Sequence, residues 1–213
     1  MDIQLNDYQL IRSTIVDMLY DRSLQPTKRF HFPIGSLDLY RMIPLEALAE
    51  IYNEAVSDKI YHLNFDLRSE YGQKVQVCFF KDGTKLEQNI KKSITTYHIS
   101  KDDLLIVILC NKQKPLASYL ETDKENVEIF WYKSLTFNPT RHILVPKHEL
   151  LNPIEKDELK KIYMLNRMTN LPTIRLSDPI AKYYGMREGD VCRITRHNPN
   201  IGKSILYRLA TGI

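Results

Sequence analysis

Leu104-Leu105-Ile106-Val107-Ile108-Leu109-Cys110 is the longest unbroken apolar run in the chain. Seven residues fall far short of the ~20 that cross a bilayer. A short aliphatic, β-branched run reads instead as a strand buried on both faces, the kind found at the centre of a covered sheet. Outward from it, on the N-terminal side, Leu86, Ile90 and Ile94 recur at helical spacing after the Asp82-Gly83 turn, with Thr84 as the candidate N-cap. Val75, Val77 and Phe79 alternate with polar neighbours, as do Tyr61, Leu63, Phe65 and Leu67 before the Tyr71-Gly72 break, which predicts two half-buried strands. On the C-terminal side Pro115 opens a short helix through Leu120, and Val127 to Tyr132 reads as a further strand. Two helices precede this array. One carries Leu5, Tyr8, Ile11, Ile15, Met18 and Leu19 on a single face, and the other begins at Pro44 with Leu45, Leu48, Ile51, Tyr52 and Ala55. The stretch between them, with Pro26, Pro33 and Gly35, reads as a loop. Strands alternating with helices imply an α/β domain built on a mixed sheet.

The pattern changes near Asn138-Pro139. Asn152-Pro153 supplies an N-cap and first-turn proline to a charged amphipathic helix whose apolar positions are Ile154, Leu159, Ile162 and Tyr163. An extended piece, Thr173 to Leu176, precedes a one-to-two-turn helix that starts at Ser177-Asp178-Pro179 and stops at Gly185. Val191 to Arg196 and Ser204 to Leu209 then form two strands joined through Asn198-Pro199-Asn200-Ile201-Gly202. The fold class expected is therefore mixed: an N-terminal α/β domain over residues 1–142 and a small C-terminal α+β domain over residues 143–213.

At 213 residues, one large domain or two small ones are equally open on length, at a prior of about 150 residues per domain. With 43% hydrophobic and 26% charged residues the chain has enough apolar material for a real core. Only seven glycines are present, and no glycine-rich phosphate-binding string occurs. The start, Met1-Asp2-Ile3-Gln4-Leu5-Asn6-Asp7, lacks the basic then apolar order of a signal peptide, and three widely spaced cysteines, Cys78, Cys110 and Cys192, suit free thiols in a reducing compartment. Charge is unevenly spread. Residues 1–134 hold 17 Lys+Arg against 19 Asp+Glu, whereas residues 135–213 hold 13 against 7. The basic end meets nucleic acid or an acidic protein surface, and charge alone does not separate the two.

Catalysis needs a constellation of groups, and none is legible. The six histidines and three cysteines show no metal-ligand spacing, so neither a metal nor a cofactor is expected. No nucleophile motif of the G-x-S-x-G kind occurs, and Cys78 and Cys110 sit in apolar strands as inert thiols. Glu158-Leu159-Lys160 supplies half of a metal-dependent nuclease motif, but it lies among Glu155, Lys156, Asp157 and Lys161, where surface ion pairing is the simpler account.

The end of the chain carries the most specific pattern. His142-Ile143-Leu144-Val145-Pro146-Lys147-His148 is followed by Leu171-Pro172-x-Ile174, by Asp178-Pro179-Ile180-Ala181-x-Tyr183-Tyr184-Gly185-Met186, by Arg187-Glu188-Gly189-Asp190-Val191, by Arg193-Ile194-x-Arg196 and by Tyr207-Arg208-Leu209. Over residues 140–213 this resembles the assembly domain of the fifth-largest subunit of eukaryotic nuclear RNA polymerases, a domain equivalent to the small H-type polypeptide of archaeal RNA polymerases. The first half resembles the eukaryotic protein more loosely, through Asp21-Arg22, Pro44-Leu45-Glu46 and Lys114-Pro115-Leu116-Ala117, the last similar to the family's Thr-Pro-Ser-Ala loop with Pro and Ala kept. Archaeal forms lack this half, so its presence points to a eukaryotic-type lineage, with a divergent or virus-encoded member also compatible.

The resemblance implies a non-catalytic polymerase subunit without its own active site. Residues 143–213 would dock on the largest subunit beside neighbouring small subunits, and residues 1–142 would form a jaw beside downstream double-stranded DNA, bound weakly and without sequence preference. It would be neither a membrane protein nor a homo-oligomer. It would work in the nucleus if cellular, or in a virion or cytoplasmic replication site if virus-encoded. Candidate interface residues are His142, Pro146, Lys147, His148, Asp178, Pro179, Tyr183, Arg193, Arg196, Tyr207 and Arg208. Tyrosine and arginine are the types that anchor interfaces, although each tyrosine reads equally well as core. Gly185, after a short helix, reads as structural. Candidate DNA contacts are Lys28, Arg29, Lys112, Lys114 and Pro115, because loop lysines reach phosphates without reading bases. The rival reading is a free-standing DNA-binding regulator or metal-dependent nuclease. Against it stands a first part of net charge −2, a poor footprint for independent DNA binding.

Overall fold

The computed structural model describes residues 3–27, 47–51, 63–68, 73–81, 85–110, 126–198 and 202–212. Thr84, the Pro44 helix start, the Pro115 helix, Lys28, Arg29, Lys112, Lys114 and Pro115 lie outside the described residues. By contact the chain divides into two compact units: Met1–Asp17 with Phe30–Phe137, and Met18–Arg29 with Asn138–Ile213. The division thus falls at 137/138, where the sequence reading sets 142/143, and residues 18–29 group with the C-terminal part.

In the first unit, β1 (Phe65–Arg68), β2 (Lys74–Phe80), β3 (Leu104–Leu109) and β4 (Val127–Trp131) pair in that order. The β1–β2 pair is antiparallel and the other two are parallel, so the sheet is mixed, as expected. All six side chains of β3 are buried, because parallel neighbours on both edges leave only its two faces, and both are covered. Cys78, Leu105, Val107, Leu109 and Ile129 meet α2 (Leu86–Thr96) through its Leu86 and Ile90. Burying each such aliphatic side chain contributes about 1.5–3 kcal/mol. The N-cap position of α2 is Lys85, in left-handed backbone and without a side-chain cap. The start of β3 is held by Asp103, whose carboxylate accepts the N–H groups of Lys74 at 2.7 Å and Ser100 at 2.8 Å. Desolvation opposes that charge, yet these bonds hold the carboxyl below its ordinary range.

Helix α1 (Leu5–Ser23) carries the expected face, and Tyr8, Ile11, Ile15, Met18 and Leu19 are all buried. It is more than an amphipathic helix, however, because Arg12, Thr14, Val16 and Asp17 are buried as well. Tyr8 sets its ring edge-on to Phe79 and donates its hydroxyl to the Leu63 carbonyl at 3.0 Å. Arg12 lies over the Phe65 ring at 4.3 Å and donates to the Tyr8 hydroxyl, so its charge is buried against aromatic faces.

In the second unit, β5 (Lys147–Leu150), β7 (Val191–Asn198), β8 (Gly202–Thr211) and β6 (Thr173–Arg175) form another mixed sheet in that spatial order. The hairpin read at the end of the chain is the β7–β8 pair, with residues 199–201 outside the described residues. Strand β5 has no counterpart in the sequence reading. Its four residues, Lys147-His148-Glu149-Leu150, are mostly polar, and only pairing with β7 makes them a strand.

Candidate subunit interface

The two helices of the second unit are specified locally. In α3 (Pro153–Ile162) the Asn152 side chain accepts the Glu155 N–H at 2.8 Å, while the Glu155 carboxylate accepts the Asn152 N–H at 2.9 Å, a reciprocal capping box behind a first-turn proline. In α4 (Pro179–Tyr183) Asp178 accepts the Ile180 N–H at 2.8 Å, and the helix ends on Gly185 in left-handed backbone. Asp178, Pro179 and Gly185 therefore have defined roles inside the fold.

The expected inward face of α3 is a correction. Leu159 alone is buried, against Leu151, Val191 and Leu209, while Ile154, Ile162 and Tyr163 are exposed. The cluster with Leu151, Val191 and Leu209 takes up this one side chain of the helix, and the rest of the apolar set is left in solvent.

Tyr183 is a second correction. At 2% exposure it has no surface to give a partner. Its hydroxyl donates to Asp21 at 2.7 Å and accepts from Asn138 Nδ2 at 2.9 Å. Burial, then the neighbouring Asp21 carboxylate, pushes its phenol far above the ordinary value. The chain at and just past the end of α1 supplies two more ties. Arg22, buried, donates Nε to the Tyr183 carbonyl at 2.7 Å and Nη2 to the Lys182 carbonyl at 2.8 Å, and Gln25 accepts the Leu150 N–H at 2.8 Å.

Several candidate cations are engaged within the chain. Glu149 receives Lys147 Nζ at 2.7 Å and Arg193 Nε at 3.2 Å, and the hydrogen bond from Lys147 is the largest cause of a carboxyl held below its ordinary range. Arg193 also approaches Glu155 at 3.7 Å. Tyr207 stands edge-on to Tyr163 with ring centres 5.7 Å apart. Arg208 donates to the Thr173 carbonyl at 3.2 Å, while Arg196 is exposed. The β7–β8 register sets Arg208 opposite Cys192 and Arg196 opposite Ser204, and β5 sets His148 opposite Ile194. His148, Arg196 and Arg208 therefore share one sheet face, by the two-residue alternation of strands.

His148 is buried, with Nδ1 on the Pro146 carbonyl at 2.7 Å. Desolvation holds it below its ordinary value, with Arg196 and Arg208 adding repulsion against the opposing pull of the Pro146 bond and Asp178. The unfolded chain then takes up a proton near about pH 6.5 that the folded chain refuses until lower pH. Stability conferred by neutral His148 is complete above about pH 6.5 and is lost as pH falls toward its folded value. Urea midpoints measured from about pH 7.5 to about pH 5 are expected to fall less steeply in His148→Gln than in the parent chain. Equal slopes count against this assignment.

The least expected feature lies just before β5. The Val145 N–H donates to the His142 carbonyl at 2.8 Å, closing a turn whose two central residues are Ile143 and Leu144. His142 Nδ1 accepts the Leu144 N–H at 3.3 Å and fixes the turn further. Turn centres ordinarily carry Gly, Pro, Asn or Asp. Here two aliphatic side chains stand at 95% and 82% exposure. The signal in the sequence is Ile143-Leu144-Val145 stopped by Pro146, an apolar run too short and aperiodic to be a helix or an alternating strand.

Among the described residues no group of three or more His, Cys, Asp or Glu is placed to hold a metal ion, and no helix is long and apolar enough to cross a membrane. Residues 137–210 match the family model for the RNA polymerase Rpb5 C-terminal domain. Over 222 aligned residues the chain is 30% identical to subunit RPABC1 of DNA-directed RNA polymerases I, II and III from Caenorhabditis elegans, covering 98% of both chains. It is 25% identical over 209 residues to subunit 5B of DNA-directed RNA polymerases IV and V from Arabidopsis thaliana, covering 97% of this chain and 90% of that one. Its similarity to the Rpo5 subunit of the Archaeoglobus fulgidus enzyme is higher and local: 44% over 75 residues, 35% of this chain and 97% of the archaeal one.

Proposed function

The chain belongs to the Rpb5 family of DNA-directed RNA polymerase subunits, and from that premise we propose that its C-terminal part docks on the largest subunit while residues 1–142 form a jaw beside downstream duplex DNA. The polymerising chemistry resides in the large subunits, and this chain contributes assembly and positioning. The observation that carries the docking reading is the aliphatic turn, Ile143 and Leu144, standing in solvent in a part of the chain that also exposes the Arg196 side chain. Apolar anchors with an arginine rim are the composition of a permanent protein interface. The archaeal relative is matched over 75 residues, 97% of its own length and about the size of the C-terminal part, which supports assigning assembly to a part of that size and the jaw role to the rest. In a cell the place of work is the nucleus, and for a virus-encoded member it is the virion or cytoplasmic replication site.

Native affinity purification through this chain, followed by mass spectrometry, is expected to recover the largest polymerase subunit with the neighbouring small ones, and recovery of the chain alone would overturn the docking reading. The jaw reading has its own test. Lys112→Ala with Lys114→Ala, measured in the whole polymerase on downstream duplex, is expected to lower the slope of log affinity against log salt by about 0.9 per phosphate contact removed. An unchanged slope rejects those two lysines as DNA contacts and leaves docking untouched.

A further inference from the structure

Strand β8 is ten residues long, and β6 lies along its outer edge only over Leu209–Thr211. Consecutive residues of a strand direct their backbone groups to opposite edges. The Leu209 N–H goes to the Pro172 carbonyl, on the β6 side, and the Ala210 N–H to the Asp190 carbonyl, on the β7 side. Lys203, Ile205 and Tyr207 therefore direct their N–H and C=O groups to the edge that β6 would cover if it continued. It stops because the next parallel bond would run from residue 172 to the Tyr207 carbonyl, and Pro172 has no N–H to give. Among the described residues no backbone group answers Lys203, Ile205 or Tyr207 on that side, and residues 202–206 are all exposed.

Free sheet edges are ordinarily blunted by charge, proline or a bulge. Here the pairing with β7 runs one-to-one from Val191–Leu209 to Asn198–Gly202, and after Lys203 the edge carries Ile205, Leu206 and Tyr207. Ile205 and Leu206, at 44% and 42% exposure, stand on opposite faces, so a strand laid on this edge meets an apolar side chain on each. Near the hairpin end are Lys203, at the edge itself, and Arg196, across the ladder from Ser204 on the other face. Both are exposed, and neither forms an ion pair among the described residues. The geometry points to a strand-addition site: an extended segment of a partner polypeptide pairs with β8 over Lys203 to Tyr207, with apolar residues beside Ile205 and Leu206 and an Asp or Glu at the hairpin end. Alternating donors and acceptors at strand spacing are the recognition chemistry of another extended backbone. A nucleic acid would answer the cations but leave Ile205 and Leu206 against phosphate. A second copy offering its own β8 would bring no carboxylate, because residues 202–211 contain none. The proposal rests on the reading of this part as a docking module, and uses other residues than the Ile143–Leu144 turn.

The test compares the free chain with the complex recovered through it, by hydrogen–deuterium exchange read at single amides. Ser204, Leu206 and Arg208 direct their amides to β7 and serve as the protected reference in both samples. The Ile205 and Tyr207 amides are expected to exchange at least about tenfold more slowly in the complex than in the free chain. Equal rates overturn the proposal, and this measurement needs no variant. Protection in the free chain that rises with its concentration assigns the edge to a second copy, and protection lost on nuclease treatment assigns it to nucleic acid; either result overturns the proposal as well. Ile205→Pro deletes one outward N–H and leaves the β7 ladder intact, the placement at which an edge strand tolerates proline. Its incorporation in competition with the parent chain is expected to fall about tenfold, against about threefold for Ile205→Ala, which keeps the N–H and loses the side chain. Equal losses in the two variants would reduce the edge to a side-chain contact and count against strand pairing. Failure of the docking role would appear separately, as absence of the largest subunit from the recovered complex.

Discussion

The double variant Ile143→Asp, Leu144→Asp is expected to lose its place in the polymerase while keeping its fold. Both side chains are almost wholly in solvent in the free chain, at 95% and 82% exposure. Covering each by a partner contributes about 1.5–3 kcal/mol, and a carboxylate in the covered site adds a desolvation cost. A combined loss of about 4 kcal/mol corresponds to about a thousandfold in affinity. The fold has no comparable stake, because the substitutions leave the backbone bonds of the turn intact and aspartate is a preferred turn residue. Stability should change by about 0.5 kcal/mol or less. Competition of variant against parent chain for assembly with the largest subunit measures the first quantity, and thermal unfolding the second. Equal incorporation of the two chains would show that the turn is not the docking anchor.

Arg22→Ala is expected to act in the opposite way, on the fold of the C-terminal part itself. The Arg22 guanidinium serves the two carbonyls, of Lys182 and Tyr183, that end α4, at 2.8 and 2.7 Å. Helix ends leave such carbonyls unpaired, and the cation also complements the negative end of the helix dipole. Removing the side chain strands the Tyr183 carbonyl, while the Lys182 carbonyl keeps the Gly185 N–H, and costs about 2 kcal/mol, within the range of about 1–3 kcal/mol for a polar group left unsatisfied. For a chain of this size that lowers Tm by about 4–8 °C, read by calorimetry. Arg22→Lys should recover only part of the loss, since one ammonium cannot reproduce the two-pronged guanidinium geometry. If the alanine variant unfolds within about 0.5 kcal/mol of the parent, the segment carrying Arg22 is not an integral part of this unit.

The behaviour of Arg22 marks the limit of local reasoning. Everything specified within a few residues was legible: the aliphatic run of β3, the Asn152 and Asp178 caps, Gly185 in left-handed backbone, and the β7–β8 hairpin. Periodicity, capping and turn chemistry operate over one or two turns of chain, and sequence order preserves them. The family was equally legible, because its motifs in the last third of the chain are contiguous strings.

What chain order does not contain is the identity of distant neighbours. Asp21 and Arg22 meet Tyr183 across more than 160 residues, and that meeting turned an interface candidate into a core side chain. The four polar residues of β5 became a strand only through their pairing with β7. Amphipathic spacing in α3 correctly implied a helix but not which apolar side chains it would bury, since that depends on which distant residues, here Val191 and Leu209, come to lie against Leu159. Exposure of Ile143, Leu144 and Ile205 is decided in the same way, by what the rest of the chain fails to cover. Hydrophobic side chains carry no address of their own, because burial is non-directional and accepts any surface of suitable shape. Only the assembled tertiary structure separates those that find cover inside the chain from those left for a partner.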